Sequence, residues 1–234
     1  MRIHFAIDAI ASKNGTIRYR FWDSAKTPHV LIMGSTGSGK TFLVRLILAK
    51  IGLHVRNARV TLCDFKADDF HDLKGLPNHY EFTDCLIGLD TFYDAFLARQ
   101  CGQDANRDFR LLIFDEWAAC LNTLDKKEAD AARTKLSTLL MLGRSFGCHV
   151  LISQQRADAE YFAKARDNFG LVIAMGNISK ESAAMFGFDR EVMEPVEGVG
   201  FGHMLSNGQD LTAIKVPAVR DMAKFERFLR VAVG

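Results

Sequence analysis

Residues 34–41 read Gly34-Ser35-Thr36-Gly37-Ser38-Gly39-Lys40-Thr41, a full match to G-x-x-x-x-G-K-[ST]. That spacing suits one chemistry, the cradling of a phosphate chain by backbone N–H groups, with a lysine ammonium on the β- and γ-phosphates and a hydroxyl on Mg²⁺. A second candidate lies at the end of the apolar run Leu111-Leu112-Ile113-Phe114, where Asp115 and Glu116 stand side by side. A carboxylate there can serve a phosphate-bound Mg²⁺, and its neighbour can polarise a water for in-line attack on a γ-phosphate. The first acid, Asp115, is assigned with Thr41 to the metal, and Glu116 to the water. The ligand so implied is a nucleoside triphosphate. ATP is favoured over GTP, since no Asn-Lys-x-Asp segment is present to read guanine.

Such groups work only if the chain holds them in place. His29 to Met33 is a short apolar run that reads as a buried strand, and Phe42 to Lys50 reads as a helix. A strand feeding a glycine-rich loop that opens a helix aims N–H groups and the positive helix end at one point. Gly34, Gly37 and Gly39 let the backbone wrap closely. Further buried strands are expected at Arg59–Cys63, Phe109–Phe114, His149–Ser153 and Leu171–Met175. Helices are expected over 83–100, with Leu86, Leu89, Phe92, Phe96 and Leu97 on one side, and from about Asp125 to Arg144. The ends differ in style. Ile3 to Ile7 and Ile17 to Trp22 suit a strand pair joined by an Asn14-Gly15 turn. Gly198 and Gly200 lead into a hairpin that holds Gly202, with Phe201–Leu205 and Leu211–Val216 around Asn207-Gly208, and a last helix is expected over Asp221–Arg230. Continuous apolar strands alternating with helices predict an α/β fold, a mostly parallel sheet covered on both faces, with the ligand at the carboxyl ends of the strands.

The 234 residues are 48% hydrophobic and 25% charged, enough for one sizeable core, so a single domain is expected. A net charge of +2 gives no global basicity, so any nucleic-acid surface must be local. Five scattered cysteines, without C-x-x-C pairing, suit buried thiols in a reducing cytosol. The N-terminal segment lacks a signal-peptide shape, and no apolar run approaches the ~18 residues that span a bilayer. The expected location is the cytoplasm, with recruitment to a membrane left to a partner protein.

Two blocks together carry a family resemblance. Pro28 to Thr41, and Gly143-Arg144-Ser145-Phe146-Gly147-Cys148-His149-Val150-Leu151-Ile152-Ser153-Gln154-Gln155-Arg156, closely resemble the FtsK/SpoIIIE group of hexameric DNA-translocating ATPases, within the HerA/FtsK superfamily. Weaker matches are Asp64-Phe65-Lys66, Asp167-Asn168-Phe169-Gly170 and Gly198–Gly202, so the likeness spans about 28–217. The resemblance implies a RecA-like P-loop NTPase fold. The expected layout is one domain over 1–234, with an N-terminal strand pair at 1–27, an ATPase core at 28–217 and a C-terminal helix at 218–234. It implies that Gln155 senses the γ-phosphate or the attacking water, and that Arg144 is an arginine finger reaching a neighbouring subunit. It further implies an oligomer, a hexamer in the family, that moves DNA. Departures are Ala157 where the family has Pro and Gln154 where it has Thr. The membrane segment, extra α-domain and winged helix of the large cell-division motors have no counterpart in these residues. That favours a motor of a plasmid, phage or integrative element, in conjugation coupling, DNA transfer or packaging; an ATP-dependent assembly switch of a transfer or secretion machine is the alternative. Candidate DNA contacts are Lys126, Lys127, Arg156, Lys164 and Arg166, with Tyr161 and Phe162 able to pack on sugar or base faces. The 154–168 segment is the expected pore-facing loop.

Overall fold

The computed structural model describes residues 1–156, 158–162 and 165–234, so Ala157 and the candidate Lys164 lie outside the described residues. The chain starts with β1 (Arg2–Asp8), a short helix α1 (Ala9–Lys13) and β2 (Tyr19–Asp23). Here the expected tight hairpin is corrected. The strands do pair antiparallel, but α1 intervenes, because Asp8 caps it by accepting a hydrogen bond from the Ala11 N–H. Next come β3 (Val30–Gly34) and α2 (Lys40–His54), then β4 (Arg59–Asp64), β5 (His79–Glu81) and α3 (Cys85–Gln100). β6 (Arg110–Asp115) leads into α4 (Trp117–Asn122) and α5 (Lys126–Leu142), and β7 (Cys148–Gln154) and β8 (Leu171–Met175) follow. The chain closes with α6 (Lys180–Phe186), β9 (Phe201–Ser206), β10 (Asp210–Lys215) and α7 (Met222–Val233).

One ten-stranded sheet runs in the order β2-β1-β10-β9-β8-β3-β7-β6-β4-β5. From β8 to β5 all neighbours are parallel. From β8 to β2 all are antiparallel. The expected β-hairpin is therefore present, but it lies inside the sheet and bridges the parallel strands to the N-terminal pair. Gly202 explains the close join, since a Cβ there would run into the Ala174 carbonyl of β8.

Both faces are covered, as the unbroken apolar strands predict. On one face α2 is buried along Leu43, Val44, Leu46, Ile47, Leu48, Ala49 and Ile51, packed between the sheet and α7. Phe42 stacks on Phe225 of α7 at 6.0 Å. On the other face α3, α4 and α5 pack through Leu89, Phe92, Phe96, Trp117, Leu136 and Leu139. The helix expected to reach Arg144 stops at Leu142, and residues 143–146 tighten into a 3₁₀ turn. Among the described residues no helix is long and apolar enough to cross a membrane.

The join between β3 and β7 holds two buried histidines. His29 Nδ1 accepts the Val150 N–H at 3.1 Å, and His149 Nδ1 lies 2.9 Å from the Pro28 carbonyl. Burial pushes His29 down to about 3 and His149 down to about 4. The unfolded chain takes up protons at these sites below the ordinary value near 6.5, whereas the folded chain does not until near 3 or 4. Stability contributed by the neutral rings is thus present above pH 6.5 and is lost as pH falls towards 4. We expect each ring to contribute a slope of about 1.4 kcal/mol per pH unit in that window. Denaturant titrations between pH 7 and 4.5 check this by difference, because Asp115 and Asp64, whose carboxyls burial raises, act in the opposite direction: His149→Phe should lower the wild-type slope by about 1.4 kcal/mol per pH unit, and a slope unchanged by the substitution would overturn it.

Candidate nucleotide site

The phosphate loop leaves β3 at Gly34, and α2 begins at Lys40. β3 is flanked by β7 and β8 in parallel register, so the loop emerges at the middle of the sheet's carboxyl edge. Gly39 caps α2 with φ 98°, a left-handed backbone, and provides no side-chain partner for the helix. The first N–H groups of α2 are therefore directed out of the loop without a capping side chain, which is the geometry that receives a phosphate. Ser35, Thr36 and Gly37 form the exposed crown, Ser38 and Lys40 are buried, and Thr41 is half-buried. Among the described residues the buried Ser38 Oγ has no hydrogen-bond partner and Lys40 makes no ion pair. Both fit a loop shaped for an anion it supplies with donors.

A distant segment braces this loop. The Gly200 N–H donates to the Ser38 carbonyl at 3.0 Å, while the Gly200 carbonyl accepts the Val216 N–H at 2.8 Å. The glycine cluster before β9 thus ties the hairpin to the phosphate loop. A Cβ at Gly34 would meet the Met175 carbonyl, which explains why a side chain is not tolerated at that close approach.

The two acids end β6 beside the loop's strand order, one strand beyond β7. Asp115 is 2% exposed and in register with Ser153 of β7 and Asp64 of β4. Burial pushes its carboxyl up to about 7, with the negative charges of Glu116, Asp69 and Asp64 adding to the rise and the Ser153 hydroxyl opposing it. Asp64 is also raised by burial, although it accepts the N–H groups of Ala67 and Phe70 at 3.0 and 3.2 Å. Those bonds close the turn after β4, so Asp64 is a loop-fixing acid, which the sequence reading did not identify. Glu116 stands half-buried at φ 58° and ψ 46°, and its N–H donates to the Ser153 carbonyl at 2.7 Å. A non-glycine residue in that region is strained, and such strain gathers at functional sites.

Gln155 follows the last residue of β7, exposed beside the loop. With Gly34, Ser35, Arg156, Asn177 and Ser182 it lines a cavity of about 290 Å³. Asn177 and Ser182 had no sequence signal, because their segment joins the site only through the β3–β8 pairing. Its neighbour Gln154 is fully buried, donating Nε2 to the Arg156 carbonyl at 2.6 Å, and its Oε1 has no partner among the described residues.

Arg144 is not brought to this site. It is exposed in the turn before β7, at the amino edge of the sheet. The seven-residue β7 separates that edge from the phosphate loop by ~20 Å at the usual strand rise. Among the DNA candidates, Lys126 and Lys127 are exposed at the start of α5, and Arg156 is exposed. Arg166 lies against Phe186 at 5.9 Å. Phe162 is a core residue, 1% exposed and edge-on to Phe169 at 5.1 Å, so it has no face to offer a base.

Comparison with known proteins agrees with this architecture. Residues 22–82 match the family described as "Helicase HerA, central domain". Over 207 residues the chain is 30% identical to the FtsK domain-containing protein YdcQ of Bacillus subtilis (strain 168), covering 80% of this chain and 42% of that protein. The chain thus spans less than half the length of this relative. All of the chain superposes on the cytoplasmic domain of the Thermomonospora curvata Type VII secretion ATPase EccC, with a TM-score of 0.70 at 20% identity over 31% of that chain. The pCW3 conjugation coupling protein TcpA superposes with a TM-score of 0.67 at 19% identity, over 99% of this chain and 71% of that one. These likenesses show a shared RecA-like fold, a mostly parallel sheet with flanking helices.

Proposed function

We propose, from the premise that this chain is a P-loop ATPase of the FtsK/HerA type, that it works as an ATP-hydrolysing ring motor moving DNA for a plasmid, phage or other mobile element. The observation that carries this reading is the division of its charged groups between two edges. The phosphate loop, Asp115 and Glu116 share the carboxyl edge, while Arg144 stands exposed at the amino edge, beyond reach of its own phosphate loop. A second copy, packed edge to edge, would bring one edge against the other. Residues 1–234 then act as one unit, with 28–217 as the motor core and the segments 1–27 and 218–234 packed onto it.

In this reading the N–H groups of residues 34–41 and the Lys40 ammonium hold the triphosphate, with charge-assisted bonds that water cannot match. Thr41 and Asp115 would hold Mg²⁺, a hard cation suited to a hydroxyl and a carboxylate, which would neutralise charge on the β- and γ-phosphates. Asp115 fits that role, being buried at the end of β6 with Glu116, Asp69 and Asp64 close enough to add negative charge that a cation would offset. Glu116 accepts a proton from the attacking water as the water oxygen bonds to the γ-phosphorus and the bond to the β-γ bridging oxygen breaks. Gln155 reports the γ-phosphate. Arg144 completes the site of the adjoining subunit. Lys126, Lys127 and Arg156 contribute to a DNA track, and a transfer-apparatus protein brings the cytoplasmic ring to a membrane. TcpA, a conjugation coupling protein, supports the DNA-transfer setting. The likeness to EccC, a secretion ATPase, favours a second reading, an ATP-dependent assembly switch without processive movement.

Strong stimulation of ATP hydrolysis by DNA, with directional displacement of a protein roadblock, is the expected result. ATP-driven assembly without DNA stimulation would replace the motor by the switch. For the site itself, Lys40→Ala is expected to abolish productive ATP binding or turnover, as measured by nucleotide titration and phosphate release. Near wild-type turnover in that variant would remove the phosphate-loop assignment.

A further inference from the structure

We propose that Trp117 is a positioning residue that couples the Glu116 carboxylate to the turn at 158–162, within the expected pore-facing segment. This rests on the reading of Glu116 as the base. Trp117 immediately follows Glu116, is 0% exposed and stands edge-on to Phe114 at 4.9 Å. Its indole Nε1–H donates to the Tyr161 carbonyl at 2.9 Å, 44 residues further along the chain. At the other end of α4, Asn122 Nδ2 donates to the Tyr161 hydroxyl at 3.3 Å. Tyr161 is thus held from both ends of α4, although the segment follows β7 in the chain. Phe162, buried against Phe169, keeps the turn against the core at that position.

The strain at Glu116 makes this connection directional. Its left-handed backbone is held by the N–H bond to the Ser153 carbonyl at 2.7 Å and by the Cys120 N–H on its own carbonyl at 3.1 Å. A residue in that conformation costs of order 1–2 kcal/mol, which the two bonds at its N–H and carbonyl offset. The dihedrals of residue 116 set the direction in which residue 117 leaves. A backbone rotation at residue 116 that carries the carboxylate towards or away from a γ-phosphate therefore swings the indole, and the indole is bonded to the turn. A buried indole N–H needs some acceptor. That acceptor lies in the segment beyond the sensor strand.

The test is hydrogen exchange of peptides covering 158–162, with and without a non-hydrolysable ATP analogue, in wild type and in Trp117→Phe, which keeps a ring and removes the donor. The analogue should change exchange in the wild-type turn and leave it unchanged in the variant, with analogue affinity preserved. DNA stimulation of turnover should fall by roughly 5-fold or more. A turn that responds equally in both proteins overturns the proposal, as does a wild type that binds the analogue with no response there. Should Trp117→Phe not fold, the sole remaining tryptophan in Trp22→Phe reports instead. Its emission should change on analogue binding, and constancy would equally overturn the coupling. A wild type showing the exchange response without any DNA stimulation would sink the motor reading and leave the coupling standing.

Discussion

Glu116→Gln protein should bind ATP with near wild-type affinity and hydrolyse it roughly 10²–10⁴-fold more slowly, the range that a positioned general base contributes. The amide keeps the size and the left-handed backbone of the residue but cannot take a proton from water. Asp115, buried and in register with Ser153, is untouched by the change and continues to serve the metal. The fold is not at stake, because Glu116 is half-buried and its structural bond to the Ser153 carbonyl uses the backbone N–H. Single-turnover hydrolysis and nucleotide titration separate the two quantities. Loss of affinity with intact turnover would mean that the roles of Asp115 and Glu116 are exchanged.

For Arg144→Ala the expected loss is roughly 10³–10⁵ in turnover if the residue completes a neighbouring site. A surface arginine at a helix end would contribute only about 0.3–1 kcal/mol of stability and nothing to chemistry. These outcomes are far apart, and position sharpens the contrast. Arg144 sits at the amino edge with β7 between it and its own phosphate loop, so direct contact with a γ-phosphate is open to it only on another copy. The variant should fold, bind ATP and lose most DNA-stimulated hydrolysis. Mixing it with Glu116→Gln protein should restore part of the activity, because some interfaces then pair an intact Glu116 with an intact Arg144. Turnover independent of protein concentration, with no rescue on mixing, would dismiss the trans site and favour the assembly switch.

The sequence by itself determined the phosphate loop, because that device is local. Eight consecutive residues between a strand and a helix suffice to bend the backbone and expose its N–H groups, and the structure has β3, the loop and α2 where the pattern puts them. The pairing of Asp115 with Glu116 at a strand end was legible for the same reason, as were the five long buried strands β3, β4, β6, β7 and β8, whose apolar runs are continuous. Short elements were not. β5 is three residues, and α4 and α6 are six and seven, too brief for a periodic pattern to rise above the background. Strand order was likewise hidden, because β10 joins β1 across nearly the whole chain, and no local residue announces that neighbour. Only the tertiary structure decided that Gly200 braces Ser38, that Asp115 is pushed up to about 7, and that Trp117 grips Tyr161. Only it put Arg144 on the far edge from the loop it was expected to serve in a neighbour. Each of these depends on which remote segments exclude water from a group or lend it a partner. Spacing along the chain fixes what a residue can do; packing fixes the charge it carries and the group it meets.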